Sequence, residues 1–213
     1  MVKENKKAFK SEGELFRSAL REEWFKLHPE IRKRFDKKLS RGNAVKYCGV
    51  MDEIYCSFWG KILGYLSKIF IKGALIPYTA FNVPVDVEVY SQENCRYIIK
   101  NRIYNLPGRE PQLFNSRTQE CDKGEVLEYV GFGIGMKMLI FEKNSNLHFK
   151  SNGYFWDVGL FRIPIPNILS PGVIYLMHIN EGENKFRIRI DINHKIFGKM
   201  FVQEGVFYEK RSP

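Results

Sequence analysis

The chain has 213 residues, of which 44% are hydrophobic and 27% charged, and its formal net charge is +10. That size and mix suit one folded domain with a full core and exclude a disordered chain. No apolar run approaches the roughly 20 residues of a membrane-spanning helix, and the first residues lack the apolar stretch of a secretory signal.

Cys48, Cys56, Cys95 and Cys121 are scattered, and none has the C-x-x-C spacing of a zinc or redox site. Reduced, mostly buried thiols in a cytoplasmic protein are expected. The positive excess is concentrated early: residues 1–50 hold 14 Lys and Arg against 7 Asp and Glu. Such a surface favours anionic partners, although a solvated basic helix face has the same composition.

Residues 1–11 are polar and Lys-rich and read as a disordered tail. From Glu12 to Leu27 the apolar side chains Leu15, Phe16, Ala19, Leu20, Trp24 and Leu27 fall on a helical stripe. His28-Pro29 punctuates it, and Pro29 opens a second helix with Ile31, Phe35 and Leu39 at spacing four. Arg32, Lys33, Arg34, Lys37 and Lys38 occupy its other faces and form a candidate patch for an anionic partner. Ala44–Tyr55 fits either a strand or a helical lead-in. Phe58–Lys72 predicts an amphipathic helix with Trp59, Ile62, Leu63 and Leu66 on one stripe. A cationic amphipathic helix can lie on a membrane, but here a large sheet follows that needs a cover, so packing on the sheet is expected.

From Val83 the period changes to two. Val85, Val87 and Val89 alternate with Asp86, Glu88 and Tyr90. Further strands are predicted at Arg96–Tyr104, Gln112–Thr118, Val126–Val130, Met136–Glu142, Leu147–Lys150, Val173–Asn180, Phe186–Ile192 and Lys199–Tyr208. The cleanest is FRIRIDI, with Phe186, Ile188, Ile190 and Ile192 on one face. Short turn-rich connections, such as Asn144-Ser145-Asn146 and Glu181-Gly182-Glu183-Asn184, imply antiparallel pairing. Between two strand blocks lies WDVGLFRIPIPNILSP. Pro164, Pro166 and Pro171 have no backbone donor, so this stretch reads as an edge or rim segment, with Leu160, Ile163, Ile165, Ile168 and Leu169 sealing one end of the sheet.

Catalytic patterns are scarce. Gly131-Phe132-Gly133-Ile134-Gly135 has the wrong spacing for a dinucleotide loop and reads as a bulge or a close approach in a strand. His28, His148, His178 and His194 show no metal-binding spacing, and no cofactor is expected. Glu128 stands among apolar neighbours. It faces water on the alternating strand, or forms a structural pair with Arg96, Lys100 or Arg102, or marks a site for a polar ligand group. The basic helix lacks interleaved aromatics for base stacking, which weighs against nucleic acid.

Several spacings together carry a resemblance. They are Leu15-Phe16-Arg17, Ile31-Arg32, Gly42-x-x-Val45, Val83-Pro84-Val85-x-Val87, Arg102-x-Tyr104, Phe114-x-Ser116, Leu127-Glu128-Tyr129-x-Gly131 and Ile163-Pro164-Ile165-Pro166-x-x-Leu169-x-Pro171. In this order, over residues 15–208, they are similar to an uncharacterised bacterial family catalogued as domain of unknown function 4166. The resemblance implies no catalytic residue. It implies a metabolic neighbourhood, because such domains sometimes follow a Rossmann domain, of which this sequence holds no pattern. The chain departs from the family at Lys100, where Trp is usual, and at Phe35, where His is expected.

The expected fold is therefore α+β and a single domain: a mainly helical part over residues 12–73, and a large curved antiparallel sheet over residues 83–209, whose partial closure into a barrel the sequence leaves open. The expected function is a non-catalytic module that holds a small hydrophobic or lipid-like ligand under the sheet. Glu128, Arg102, Tyr129, Met136, Met138 and His178 are the candidate contacts, with Met177 adding to an adaptable lining. The alternatives are an enzyme that uses Glu128 with an Arg or His partner, and a basic peripheral protein that binds an anionic membrane or nucleic acid through Arg32–Lys38.

Overall fold

The computed structural model describes residues 10–40, 43–68, 76–91, 97–120 and 126–210. The predicted tail, Arg96, Cys95, Cys121, the end of the amphipathic helix and two of the turns lie wholly or largely outside these residues. Of the thiols described, Cys56 is buried and Cys48 half-buried, and both are free.

The N-terminal stripe is one apolar surface carried by a broken helix. Helix α1 spans Glu12–Leu20, and the Ser11 hydroxyl caps it by accepting from Glu14 N at 3.1 Å. Arg21 adopts a φ of 53°, which ends the helix at Leu20, well short of the predicted Leu27, and starts a 3-10 turn over Arg21–Lys26. Helix α2 spans Pro29–Phe35, with Pro29 at its first position and His28 Nδ1 accepting from Glu30 N. Leu15, Phe16, Leu20, Trp24, Leu27, Ile31, Phe35 and Leu39 are all buried, so burial follows the predicted stripe even where the helix does not.

Among the described residues the sheet has eleven strands: β1 (Val45–Cys56), β2 (Ala80–Ser91), β3 (Tyr97–Tyr104), β4 (Gln112–Glu120), β5 (Val126–Gly131), β6 (Ile134–Lys143), β7 (Asn146–Asp157), β8 (Arg162–Ile165), β9 (Val173–Asn180), β10 (Lys185–His194) and β11 (Gly198–Glu209). Every pairing is antiparallel, in the order β6-β5-β4-β3-β2-β1-β11-β10-β9-β7, and a further β6–β7 pairing closes ten of the strands into a barrel. Strand β8 hangs on the end of β7 as an edge, which is where its Pro164 is tolerated. The ambiguous stretch at residues 44–55 is thus a strand. Pairing with β2 on one side and β11 on the other decides what its local sequence leaves open, and the sheet begins inside the part read as helical.

Alternation sets the two barrel faces. Val85, Val87 and Val89 of β2 point inward, as do Phe186, Ile188, Ile190 and Ile192 of β10. The polar partners of β10 point outward: Arg187 meets Glu181 at 2.5 Å, and Arg189 reaches Glu204 of β11 at 2.8 Å. Tight turns join the strands. Asn144 and Ser145 both have positive φ, as a two-residue hairpin requires, and so do Phe132 and Gly133. The glycine cluster at 131–135 is therefore a hairpin turn opening β6.

The two barrel ends differ. Helices α1 and α2 close the end that holds the β6–β7 and β9–β10 turns: His28 N donates to Ser145 O at 2.8 Å, and Ser18 bonds Glu120. At the other end stands α3 (Phe58–Ser67), capped by Ser57. Here the structure corrects the prediction. Trp59, Ile62 and Leu66 remain exposed, while the buried stripe is Gly60 and Gly64, with Leu63 and Ser67 turned to the barrel interior. A Cβ on Gly60 would stand 2.3 Å from the Met200 carbonyl, so only the small-residue face can come this close. The proline-rich stretch is likewise at this end but does not seal it: Leu160 is 94% exposed, and only Ile165 and Leu169 of the five predicted residues border the interior.

Candidate functional site

A ten-stranded barrel is wider than side chains of this size can fill. The inward residues of β2, β9 and β10 are largely Val, Ile and Leu, and they leave a partly enclosed cavity of about 370 Å³. It runs from Phe16, Arg34 and Phe35 at the closed end to Leu63, Ser67 and Leu169 at the mouth.

The closed end has an aromatic floor. Phe16 meets Phe35 edge-on at 5.1 Å and Phe149 at 5.4 Å. Phe35 meets His178 at 5.0 Å, and His178 stacks on Phe186 at 4.5 Å. Arg34 lies with its guanidinium 4.0 Å above the Phe186 ring. Its Nη1 is 3.3 Å from His178 Nδ1, and its Nη2 donates to the Lys185 carbonyl at 3.4 Å. Burial lowers the Arg34 pKa to about 10, which leaves it charged at neutral pH. Burial, and then the charges of Arg34 and Lys100, push His178 well below the usual histidine range, so its ring is neutral.

A second polar group crosses β3, β4 and β5. Register puts Lys100 opposite Ser116 and Thr118 opposite Glu128. Arg102 Nη1 donates to Ser116 Oγ at 3.0 Å, the Thr118 hydroxyl donates to Glu128, and Lys100 pairs with Glu12 of α1 at 3.1 Å. Burial alone would raise the Glu128 pKa. The charges of Lys100 and Arg102, with hydrogen bonds from Ser116 and Thr118, outweigh it and hold the carboxyl below its ordinary value. Glu128 therefore stays ionised. Its remaining exposed surface faces the cavity, which rules out the reading in which it points to bulk water.

Five of the six predicted ligand contacts border this cavity: Glu128, Arg102, Met136, Met138 and His178. Tyr129 does not. Adjacent strand residues face opposite ways, so with Glu128 inside, Tyr129 must lie outside. There it packs with Leu127 and Phe155 and donates to Asp157 at 2.8 Å. Parity also places Met177 and His148 on the outer face, since Leu176, His178 and Phe149 line the cavity. His148 instead stacks on Phe141 and meets the Tyr175 hydroxyl at 2.9 Å.

The predicted anionic-partner run does not form one patch. Lys33 pairs with Glu30 and Lys37 with Glu209, Arg32 is half-buried, Lys38 is exposed, and Arg34 is turned into the barrel. Arg34, Glu12 and Phe16 are among the interior residues that the sequence does not point to as cavity contacts. Spacing offers one signal for Arg34: it stands three residues after Ile31 and beside Phe35, on the buried face of α2. Both departures from the family pattern, Phe35 and Lys100, border the cavity as well. Among the described residues no three His, Cys, Asp or Glu side chains gather as a metal site.

A family model described as a domain of unknown function (DUF4166) matches residues 27–207 of the chain. No curated protein and no solved structure matches it.

Proposed function

We infer from the barrel that this chain, which belongs to the DUF4166 family of domains of unknown function, is a non-catalytic binding module for a small hydrophobic or lipid-like ligand. The cavity carries this reading. At about 24 cal/mol per Å³, an empty apolar void of 370 Å³ would cost on the order of 9 kcal/mol. That is comparable with the whole stability of a domain. Water can fill the polar floor, but the apolar walls gain most from an apolar occupant. The ionised state of Glu128 weighs against the enzyme reading, because a carboxylate held below its ordinary pKa is a weak general base.

Native mass spectrometry and solvent extraction of the purified protein test this. A bound lipid-like molecule, or saturable uptake of the uncharged fluorophore phenylnaphthylamine, is the expected result. Protein that carries no ligand and takes up no fluorophore would sink the proposal.

A second reading, attachment to an anionic membrane, is favoured by the mouth of the barrel and not by α2. Among the described residues no helix is long and apolar enough to cross a membrane. Phe58, Trp59, Leu66, Leu160 and Phe161 are exposed around the mouth, with exposed Lys61, Lys195 and Lys199 among them. Aromatic and leucine side chains mixed with lysine suit the headgroup boundary of an anionic bilayer. Such docking would bring the cavity mouth to a source of lipid. The protein should co-sediment with phosphatidylglycerol vesicles, less so at high salt, and the Leu160→Ser, Phe161→Ser double variant should lose most of that binding with little change in melting temperature. Binding that the double variant leaves intact would remove the mouth from this role.

A further inference from the structure

We propose that the closed end of the cavity holds the anionic head of a single-tailed amphiphile, with Arg34 as its cationic anchor and the tail running toward the mouth. This rests on the ligand-binding reading above and names the class of ligand.

Arg34 is 7% exposed and borders the cavity. Its contacts are all neutral: the His178 ring, the Lys185 carbonyl and the Phe186 face. Among the described residues no carboxylate lies within 4.0 Å of its guanidinium. Glu30, one turn back on α2, acts on Arg34 only through space and pairs with Lys33 at 3.7 Å, and Glu12 pairs with Lys100. A buried cation without a counter-ion is costly, and proteins ordinarily provide it with one.

The charges around the cavity point the same way. Among the described residues that border the cavity, Arg34, Lys100 and Arg102 face Glu12 and Glu128 as the carboxylates. Glu12 is paired with Lys100, and Glu128 shares the Ser116–Thr118 cluster with Arg102. The uncompensated positive charge is therefore Arg34, at the floor.

The walls above it define the rest of the ligand. Leu176, Ile188 and Ile190 lead up one side, and Leu63 and Leu169 stand at the mouth. A ligand with an oxyanion at one end and an unbranched apolar tail satisfies both parts at once. The guanidinium offers a planar fork that matches a carboxylate or a phosphate. A neutral head would accept one hydrogen bond and leave the buried charge as it is.

Displacement of phenylnaphthylamine from the full chain by dodecanoate, dodecyl phosphate and dodecanol tests the assignment, since the three share a tail and differ at the head. At neutral pH at least one of the two anions should bind about tenfold or more tighter than the alcohol. The preferred anion tells carboxylate from phosphate. Arg34→Met should bring anion and alcohol within about twofold of each other. If all three bind the native chain equally, the cavity reading stands and the head-group site is overturned. If neither the fluorophore nor any competitor binds, both readings fall. Should Arg34→Met fail to fold by circular dichroism, the neutral Arg34→Gln replaces it: loss of the preference for the anion supports the site, and an unchanged preference overturns it.

Discussion

At the scale of single residues, the interior of this barrel is governed by parity. Glu128 and Tyr129 are neighbours in sequence, yet one joins a charged cluster inside the barrel and the other packs outside it. Composition could nominate both for a site, but only one can enter it. His178 shows what burial does to a titratable side chain. Its folded pKa lies well below the ordinary histidine value of about 6.5. As pH falls through that value the unfolded chain takes up a proton that the folded chain refuses. Stability from this group is therefore fully present above about pH 6.5 and declines below it. The decline is about 1.4 kcal/mol per pH unit for each such histidine until the folded pKa is reached. His148, also lowered mainly by burial, acts in the same direction. Urea unfolding of the native chain and of His178→Gln between about pH 7 and pH 5.5 should show a shallower loss in the variant. Equal slopes would mean that His178 is already charged in the fold.

At the scale of elements, α3 carries the main lesson. Its large apolar side chains lie at spacings of one, three and four, as a core-facing helix would have them. Its glycines lie on a neighbouring stripe, flanked by Leu63 and Ser67, and that is the stripe the barrel accepts. Close backbone approach at Met200 outweighs the area that Trp59 and Leu66 would have buried. Gly60→Ala should therefore force α3 away from β11 and cost about 1–3 kcal/mol. Lys61→Ala, on the exposed side, should stay within about 0.5 kcal/mol of the native chain in the same denaturant titration. A neutral Gly60→Ala would show that the helix can shift freely at the mouth. The N-terminal stripe behaves in the opposite way. Arg21 breaks its helix, yet Trp24, Leu27 and Ile31 still reach the core, because the apolar surface and not helical continuity is what the barrel end requires.

At the scale of the whole molecule, stability should be unevenly spread. β1 and β11 have partners on both sides throughout the barrel, while β8 pairs only with β7 over four residues. Amide hydrogen exchange read by mass spectrometry should find β8 exchanging far faster than β1, β10 and β11. Protection of β8 equal to theirs would mean that something covers this edge in solution.

Much of this architecture is legible in the chain itself. Period-two alternation in VPVDVEV and FRIRIDI specifies which side chains turn inward, short polar turns specify antiparallel pairing, and prolines assign RIPI to an edge. These are local consequences of backbone geometry, so a linear sequence carries them. Glu128, Arg102, Met136, Met138 and His178 were within reach for the same reason. Closure was not, because it depends on β6 meeting β7 while β7 also meets β9, a property of the assembled sheet. Nor was the identity of residues 44–55 as a strand, the stripe that α3 buries, or the position of Arg34. Each of these is settled by what lies across the barrel: two flanking strands, a carbonyl that leaves no room for a Cβ, and an aromatic floor over which a helix places a cation.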